Sequence, residues 1–104
     1  MNDEQACIEL RELFGNNLKK LRHEARLSLI KLGMRSGLTH NFINDLEHGK
    51  RGVTLDSIAL LAQGLDVESF KLLLPKEKAQ ESAYPEYINA LEKAVEDIKK
   101  YYSA

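Results

Sequence analysis

The sequence predicts an all-α protein in which five helices form one domain and a separate amphipathic helix follows. Apolar residues recur at steps of three and four along most of the chain, which is the period of one face of a helix. No window alternates apolar and polar residues as a half-buried strand requires. Both prolines, Pro75 and Pro85, fall late, where they stop one helix and begin another.

Length and composition limit the classes of protein to which the chain can belong. A chain of 104 residues with a net charge of −1 has room for one domain and an arm. Cys7 is the one cysteine, so it has no disulfide partner in the chain, and we expect it in the core of a protein from a reducing compartment. No residues have the spacing of a metal site, and we expect no cofactor. The acidic start and the short apolar stretch at 58–62 resemble neither a secretory signal nor a membrane span, so we expect a cytoplasmic protein.

The first helix is predicted from about residue 4 to 26. Its apolar stripe consists of Cys7, Leu10, Phe14, Leu18, Leu21 and Ala25.

Hydroxyl residues and glycines mark the next helices. Ser28 caps a helix that runs to Ser36, and Gly37 ends that helix in a left-handed conformation. Thr39 caps a helix from His40 to Glu47, with Ile43 and Leu46 facing inward. Two short helices joined by a tight turn with glycine form a helix-turn-helix, here residues 28–47.

Two further helices complete the predicted domain of residues 1–75. Thr54 caps the fourth helix and Gly64 ends it, whereas Asp66 caps a short fifth helix that Pro75 stops. Residues 76–84 are polar and are interpreted as a linker.

Residues 14–75, about 60% of the chain, resemble the lambda-repressor-like helix-turn-helix family of the Cro/cI or xenobiotic-response-element type. The resemblance rests on runs of residues with specific spacing: Phe14-Gly15, Leu18-Lys19-Lys20-Leu21-Arg22, Leu27-Ser28, Gly37-Leu38-Thr39, Ile43 to Arg51, and Leu60-Ala62-Leu65-Asp66-Val67. It implies five helices, recognition of DNA by the helix that starts at Thr39, dimeric binding to inverted repeats and a buried ion pair between Arg22 and Glu47. A phosphate contact is the alternative role for Arg22. The pair is physically reasonable, because a buried glutamate is costly without a fork-shaped donor.

Helical rotation places Ile43 and Leu46 on one side of the recognition helix and polar residues, His48 among them, on the other. An asparagine can pair with adenine and an aspartate can accept from cytosine. The predicted base-reading residues are Thr39, His40, Asn41, Asn44 and Asp45. The alternative for each is a solvated helix face.

Phosphate contacts are predicted around the same motif. Residues 14–75 carry nine basic against six acidic side chains, although such an excess is also typical of a solvated face. The predicted backbone contacts are Ser28, Lys31, Arg35, Phe42, Lys50 and Arg51. Phe42 lies at the boundary of the face and could instead touch a thymine methyl group or cover the core.

Two residues depart from the family pattern. Leu29 replaces a glutamine that commonly binds a phosphate, which raises the chance of a protein-binding variant. Gly33 replaces the usual alanine and is expected to keep the close contact between helices, at a cost in helix propensity of about 1 kcal/mol.

The C-terminal residues 85–104 have a heptad pattern, with steps of 4, 3, 4, 3 and 4 along one seam. The seam residues are Tyr84, Ile88, Leu91, Val95, Ile98 and Tyr102. A lone helix of this length is marginal in water, so the seam is expected to be covered. We interpret it as a dimerisation helix, with folding back onto the first helix as the alternative.

Together these features predict a homodimeric transcriptional regulator, a repressor or controller, that binds double-stranded DNA at an inverted-repeat operator. A helical protein-interaction adaptor or antitoxin-like module is the alternative. The three histidines have no nucleophile or paired carboxylates around them, so the sequence predicts no enzyme, and no small-molecule site is evident.

Overall fold

The computed structural model describes residues 3–75 and 85–103, and the side chains of residues 3–75 and 92–101. The chain divides into two units, residues 1–74 and 75–104, which are described separately. The described residues contain helices and no strand, which confirms the all-α prediction. The elements of the first unit are α1 (Asp3–Glu24), α2 (Leu29–Ser36), α3 (His40–Glu47), α4 (Leu55–Leu65) and a 3₁₀ helix, η1 (Ser69–Leu73).

The starts of the three middle helices follow the predicted capping residues. The hydroxyl groups of Ser28, Thr39 and Thr54 each accept a hydrogen bond from the backbone N–H three residues later. Gly37 has φ +78° and its N–H donates to the carbonyl of Gly33, so it ends α2 in the left-handed conformation that glycine tolerates best.

The core lies where α1 packs on α3 and η1, and where α2 packs on α3 and α4. Every helix of the first unit contributes to it. Its fully buried large side chains are Leu18, Leu32, Ile43, Leu46, Leu61 and Leu72. Burial of apolar side chains of this size is the main source of stability for so small a domain.

The N-terminal half of α1 lies outside this core. Cys7 is exposed and Leu10 is 55% exposed, whereas the buried residues of α1 begin at Phe14. The prediction that Cys7 is a core residue was therefore wrong. Cys7 belongs to the apolar stripe, but among residues 3–74 no other element covers the stripe at this end of the helix.

The end of α4 also differs from the prediction. Gly64 does not end the helix but lies inside it, where an added Cβ would be 3.1 Å from Leu32 Cδ1 and 3.4 Å from Ser36 Cβ. The glycine therefore allows α2 and α4 to pack closely. Asp66 ends α4 with φ +56° instead of capping the following helix.

The predicted fifth helix is the 3₁₀ turn η1, which begins after Glu68 without a side-chain cap. Leu72 is fully buried, whereas Phe70 is 58% exposed. Asn17 holds this segment against α1, because its buried Nδ2 donates to the carbonyls of Leu72 at 3.0 Å and Leu74 at 2.8 Å.

The second unit contains α5 (Pro85–Ser103). Among its described side chains, Val95, Ile98 and Tyr101 are all half or more exposed. The predicted linker, residues 76–84, lies outside the described residues, as do Tyr84 and the side chains of Ile88, Leu91 and Tyr102 in the predicted seam. Within the described parts of the chain, no helix is long and apolar enough to cross a membrane.

Candidate nucleic-acid interface

Helix α3 is fixed in the domain by its inner face. Ile43 and Leu46 are fully buried, and Glu47 is 6% exposed. The hydroxyl of Thr39 caps the start of the helix, and His48 and Gly49 close its end, with Gly49 at φ +68°. The helix therefore presents its outer residues from a rigid support.

An ion pair between Arg22 and Glu47 links α1 to α3. Arg22 Nε donates to Glu47 Oε2 at 2.6 Å, and its Nη2 donates to Oε1 at 3.0 Å. Arg22 Nη1 also donates to the carbonyl of Leu27 at 2.9 Å, so the guanidinium is used within the domain. This fork-shaped pairing satisfies a carboxylate whose side chain is only 2% exposed.

Two glycines bring helices close together around α3. A Cβ at Gly15 would lie 2.5 Å from the carbonyl oxygen of Leu46, and a Cβ at Gly33 would lie 2.7 Å from that of Leu38. Alanine at position 33 would thus require the turn between α2 and α3 to move. The close contact predicted at Gly33 is therefore present, and it is made with the backbone of Leu38.

The predicted base-reading residues lie on the outer side of α3. Thr39, His40 and Asn41 are exposed, and Asn44 and Asp45 are half-buried. His48 Nδ1 lies 2.8 Å from the carbonyl oxygen of Asn44. The outer face is therefore polar and accessible at its N-terminal end and more engaged in contacts toward its C-terminal end.

Asp45, Phe42 and Arg51 form a small cluster on this face. Arg51 Nη2 lies 3.5 Å from Asp45 Oδ2, and the Arg51 guanidinium lies 5.3 Å from the centre of the Phe42 ring. Phe42 is half-buried and packs against the hydrophobic core. It therefore supports Arg51 while also covering the core.

The remaining predicted phosphate contacts are exposed. Lys31 and Arg35 lie one turn apart on the same side of α2, and Lys50 follows α3. The backbone N–H of Lys31 is already used by the hydroxyl of Ser28, so the amides of Leu29 and Ile30 would have to serve any anion at this helix start.

Sequence reasoning missed the roles of Gly15 and Asn17. A glycine within a helix costs about 1 kcal/mol relative to alanine, so Gly15 itself was a signal of close helix contact. Asn17 gave no local signal, because its partners are 55 and 57 residues away.

The surface around the outer face of α3 carries groups that can form hydrogen bonds and ion pairs with a binding partner. It carries amide, hydroxyl, imidazole and guanidinium groups on and beside an exposed helix. No group of three or more His, Cys, Asp or Glu side chains in the described residues could hold a metal ion. Two short helices joined by a tight turn, the second with a buried inner face and an exposed outer face, define a helix-turn-helix protein.

Comparison with known proteins agrees with this class. The family described as helix-turn-helix matches residues 18–72. An HTH-type transcriptional regulator of Sinorhizobium fredii, y4dJ, is 32% identical over 71 residues, which are 68% of this chain and 92% of the relative. Control protein C.SmaI of Serratia marcescens is 32% identical over 74 residues, which are 70% of this chain and 88% of that protein.

Comparison with solved structures also identifies a helix-turn-helix protein. The restriction-modification controller protein C.AhdI from Aeromonas hydrophila superposes with a TM-score of 0.58 and 37% identity, over 60% of this chain and 94% of that chain. The protein belongs to the helix-turn-helix family and is a DNA-binding transcriptional regulator with the Cro/cI-like fold.

Proposed function

We propose that the protein acts as a homodimer on an inverted-repeat operator, with α3 in the major groove of each half-site. The observation that carries this proposal is the contrast between the two faces of α3. Its inner face is fixed by Ile43, Leu46 and the Arg22–Glu47 pair, whereas its outer face carries exposed polar residues. A helix supported in this way can hold side chains in one register against base edges.

Base recognition is assigned to the exposed start of α3. Asn41 can donate to and accept from adenine in a bidentate pair, and Thr39 and His40 lie at the N-terminus that enters the groove. Asn44 lies one turn further along the same face. The four proposed readers are therefore Thr39, His40, Asn41 and Asn44.

Phosphate contacts are assigned to both sides of α3. Ser28, Lys31 and Arg35 approach from α2, and Lys50 and Arg51 approach from the loop after α3. All five are exposed. The four lysines and arginines among them supply attraction that does not depend on sequence, while Arg22 stays in its pair with Glu47.

Dimerisation is assigned to α5. Val95 and Ile98 are 50% and 56% exposed, and they continue the heptad seam of Tyr84, Ile88, Leu91 and Tyr102. Two copies of such a seam would bury each other and set the spacing of the two recognition helices.

A controller is the favoured subtype, since C.SmaI and C.AhdI carry that description. As a regulator that binds DNA, the protein is assigned to the cytoplasm.

Selection of bound sequences from a random DNA pool tests the proposal as a whole. We expect an enriched inverted repeat whose half-sites lie about one helical turn apart. Enrichment of a single half-site would argue against the dimer. No enrichment at all would contradict base reading by α3.

Salt dependence tests the phosphate contacts. Log affinity should fall linearly with log salt, with a slope of about −0.9 per phosphate contact. Replacing Lys50 and Arg51 with alanine should flatten the slope by about one or two units. An unchanged slope would remove this loop from the interface.

A pair of substitutions in the full chain tests the seam. Ile98→Glu should convert the dimer into a monomer in sedimentation, because it places a charge on the apolar seam. Tyr101→Glu is the matched control, since Tyr101 is 79% exposed and lies off the seam. Equal effects of the two variants, or none, would contradict dimerisation through this face.

A protein-interaction adaptor is the second candidate function. It is favoured by the apolar side chains of Ile30 and Met34, which are 60% and 79% exposed on α2. An adaptor would bind its partner with little dependence on salt and would enrich no DNA sequence.

A further inference from the structure

Asp45 occupies an unusual place for an acidic residue in a surface that faces DNA. Its carboxylate lies on the outer side of α3, and its side chain is 33% exposed. A carboxylate near phosphates is repelled unless a cation or a base donor engages it. The structure supplies a cation from the protein itself, because Arg51 Nη2 lies 3.5 Å from Asp45 Oδ2.

Arg51 is restrained from a second direction. Its guanidinium lies 5.3 Å from the centre of the Phe42 ring, within the range of a cation–π contact. Phe42 is itself fixed, since it is half-buried and packs on the core. Two contacts from opposite kinds of group, an aromatic ring and a carboxylate, therefore restrain the Arg51 guanidinium.

A guanidinium has five N–H donors in a rigid fork, and Asp45 can occupy only one edge of it. The Arg51 side chain remains 53% exposed, so its other donors are accessible. An arginine held in one orientation loses less conformational entropy when it binds a phosphate than a freely moving one.

We propose that Asp45 is a positioning residue for Arg51 and does not read a base. Asp45 and Phe42 hold the Arg51 guanidinium so that its outward donors meet a DNA phosphate at the end of the recognition helix. The proposal rests on the proposed DNA-binding function. It replaces direct recognition of cytosine by Asp45 with a contact made through Arg51.

A double-mutant cycle on the full-length protein, using the selected operator, tests the proposal. Asp45→Asn should lower operator affinity about two- to fivefold, the size expected for an exposed charge pair. In an Arg51→Ala background, the same substitution should lower affinity no further, because no guanidinium remains to be positioned. The preference at each base position should stay the same in both backgrounds.

Two further variants separate positioning from general effects. Asp66→Asn makes the same change in net charge at an exposed turn, and asparagine tolerates the left-handed conformation there, so operator affinity should not fall. Phe42→Leu retains an apolar side chain against the core but removes the ring face, so it should weaken binding in the same direction as Asp45→Asn. Thermal unfolding of each variant checks that the fold is retained.

Three outcomes would overturn the proposal. An equal loss from Asp45→Asn in both backgrounds would show that the carboxylate acts independently of Arg51. Relaxed preference at one base position would show that Asp45 reads a base. Higher affinity of Asp45→Asn in the wild-type background would show that the carboxylate opposes binding. Failure of the proposed DNA-binding function would look different from failure of this proposal, because the wild-type protein itself would then show no sequence preference.

Discussion

The two halves of α1 share one apolar period but differ in what surrounds them. In the C-terminal half, Phe14 and Leu18 are buried beneath α3 and η1. In the N-terminal half, Cys7 and Leu10 continue the stripe and are exposed. The period thus predicts which face of a helix is apolar, whereas burial depends on whether another element reaches that face.

Each half of α1 also uses polar residues differently. Arg22 and Asn17 in the C-terminal half form hydrogen bonds to groups that are distant in sequence. Gln5 in the N-terminal half donates to Glu9 one turn away, in an exposed contact at 3.2 Å. The C-terminal half should therefore carry nearly all of the stability that α1 contributes.

The largest expected difference concerns the polar pairs. Arg22→Ala leaves the Glu47 carboxylate buried without its partner, which should lower the free energy of unfolding by about 3–5 kcal/mol. Gln5→Ala removes only the exposed contact with Glu9 and should change the free energy of unfolding by less than about 0.5 kcal/mol. Chemical denaturation of both variants measures the difference, and a small effect of Arg22→Ala would show that Glu47 finds another partner or water.

The apolar stripe gives the next test. Leu18→Ala creates a cavity at a fully buried position and should cost about 2–5 kcal/mol. Leu10→Ala, at a position that is 55% exposed, should cost less than about 1 kcal/mol. Thermal and urea unfolding compare the two. Equal losses would mean that the N-terminal half is covered in solution, for example by a second copy of the chain.

Adjacent asparagines provide a matched pair within the C-terminal half. Asn17→Ala leaves two carbonyl groups without their side-chain donor and should cost about 1–3 kcal/mol. Asn16→Ala changes an exposed neighbour and should be nearly neutral. Hydrogen exchange of the amides in η1 should accelerate in the Asn17 variant alone. If both variants unfold alike, the bonds to Leu72 and Leu74 contribute little.

The smallest expected change in stability extends the contrast to α3. Asn41 is exposed and faces away from Ile43 and Leu46, so Asn41→Ala should change stability by less than about 0.5 kcal/mol. Discrimination at one base position per half-site should fall by about 1–3 kcal/mol. Binding to the operator and to its single-base variants measures this. A uniform loss of affinity for all sequences would instead assign Asn41 to a phosphate.

Local chemistry made much of the fold predictable. The caps at Ser28, Thr39 and Thr54, and the helix end at Gly37, each depend on hydrogen bonds or backbone conformation within a few residues. These features were predicted correctly for that reason. The inward side of α3 was also predictable, because Ile43 and Leu46 follow the helical period.

The errors have two sources, which are contacts between distant segments and residues that suit more than one backbone conformation. The sequence predicts a helix end at Gly64 because glycine is a poor helix former, but the close packing of Gly64 on Leu32 and Ser36 outweighs that cost. The sequence predicts a cap at Asp66 because aspartate favours helix starts, although aspartate also tolerates the left-handed conformation that Asp66 adopts here. At the candidate interface, the contacts of Asp45 with Arg51 depend on the path of the loop after α3, which the residue pattern does not specify.

The bonds from Asn17 to the carbonyls of Leu72 and Leu74 also bear on the order in which the domain folds during synthesis. Leu72 is a fully buried core residue, so a nascent chain that ends before it lacks both a part of the core and the acceptors for Asn17. The early helices can form as they emerge from the ribosome, since their caps are local. We expect these helices to pack stably only after residue 74 has left the exit tunnel, because the last residues of the unit supply contacts that α1 needs.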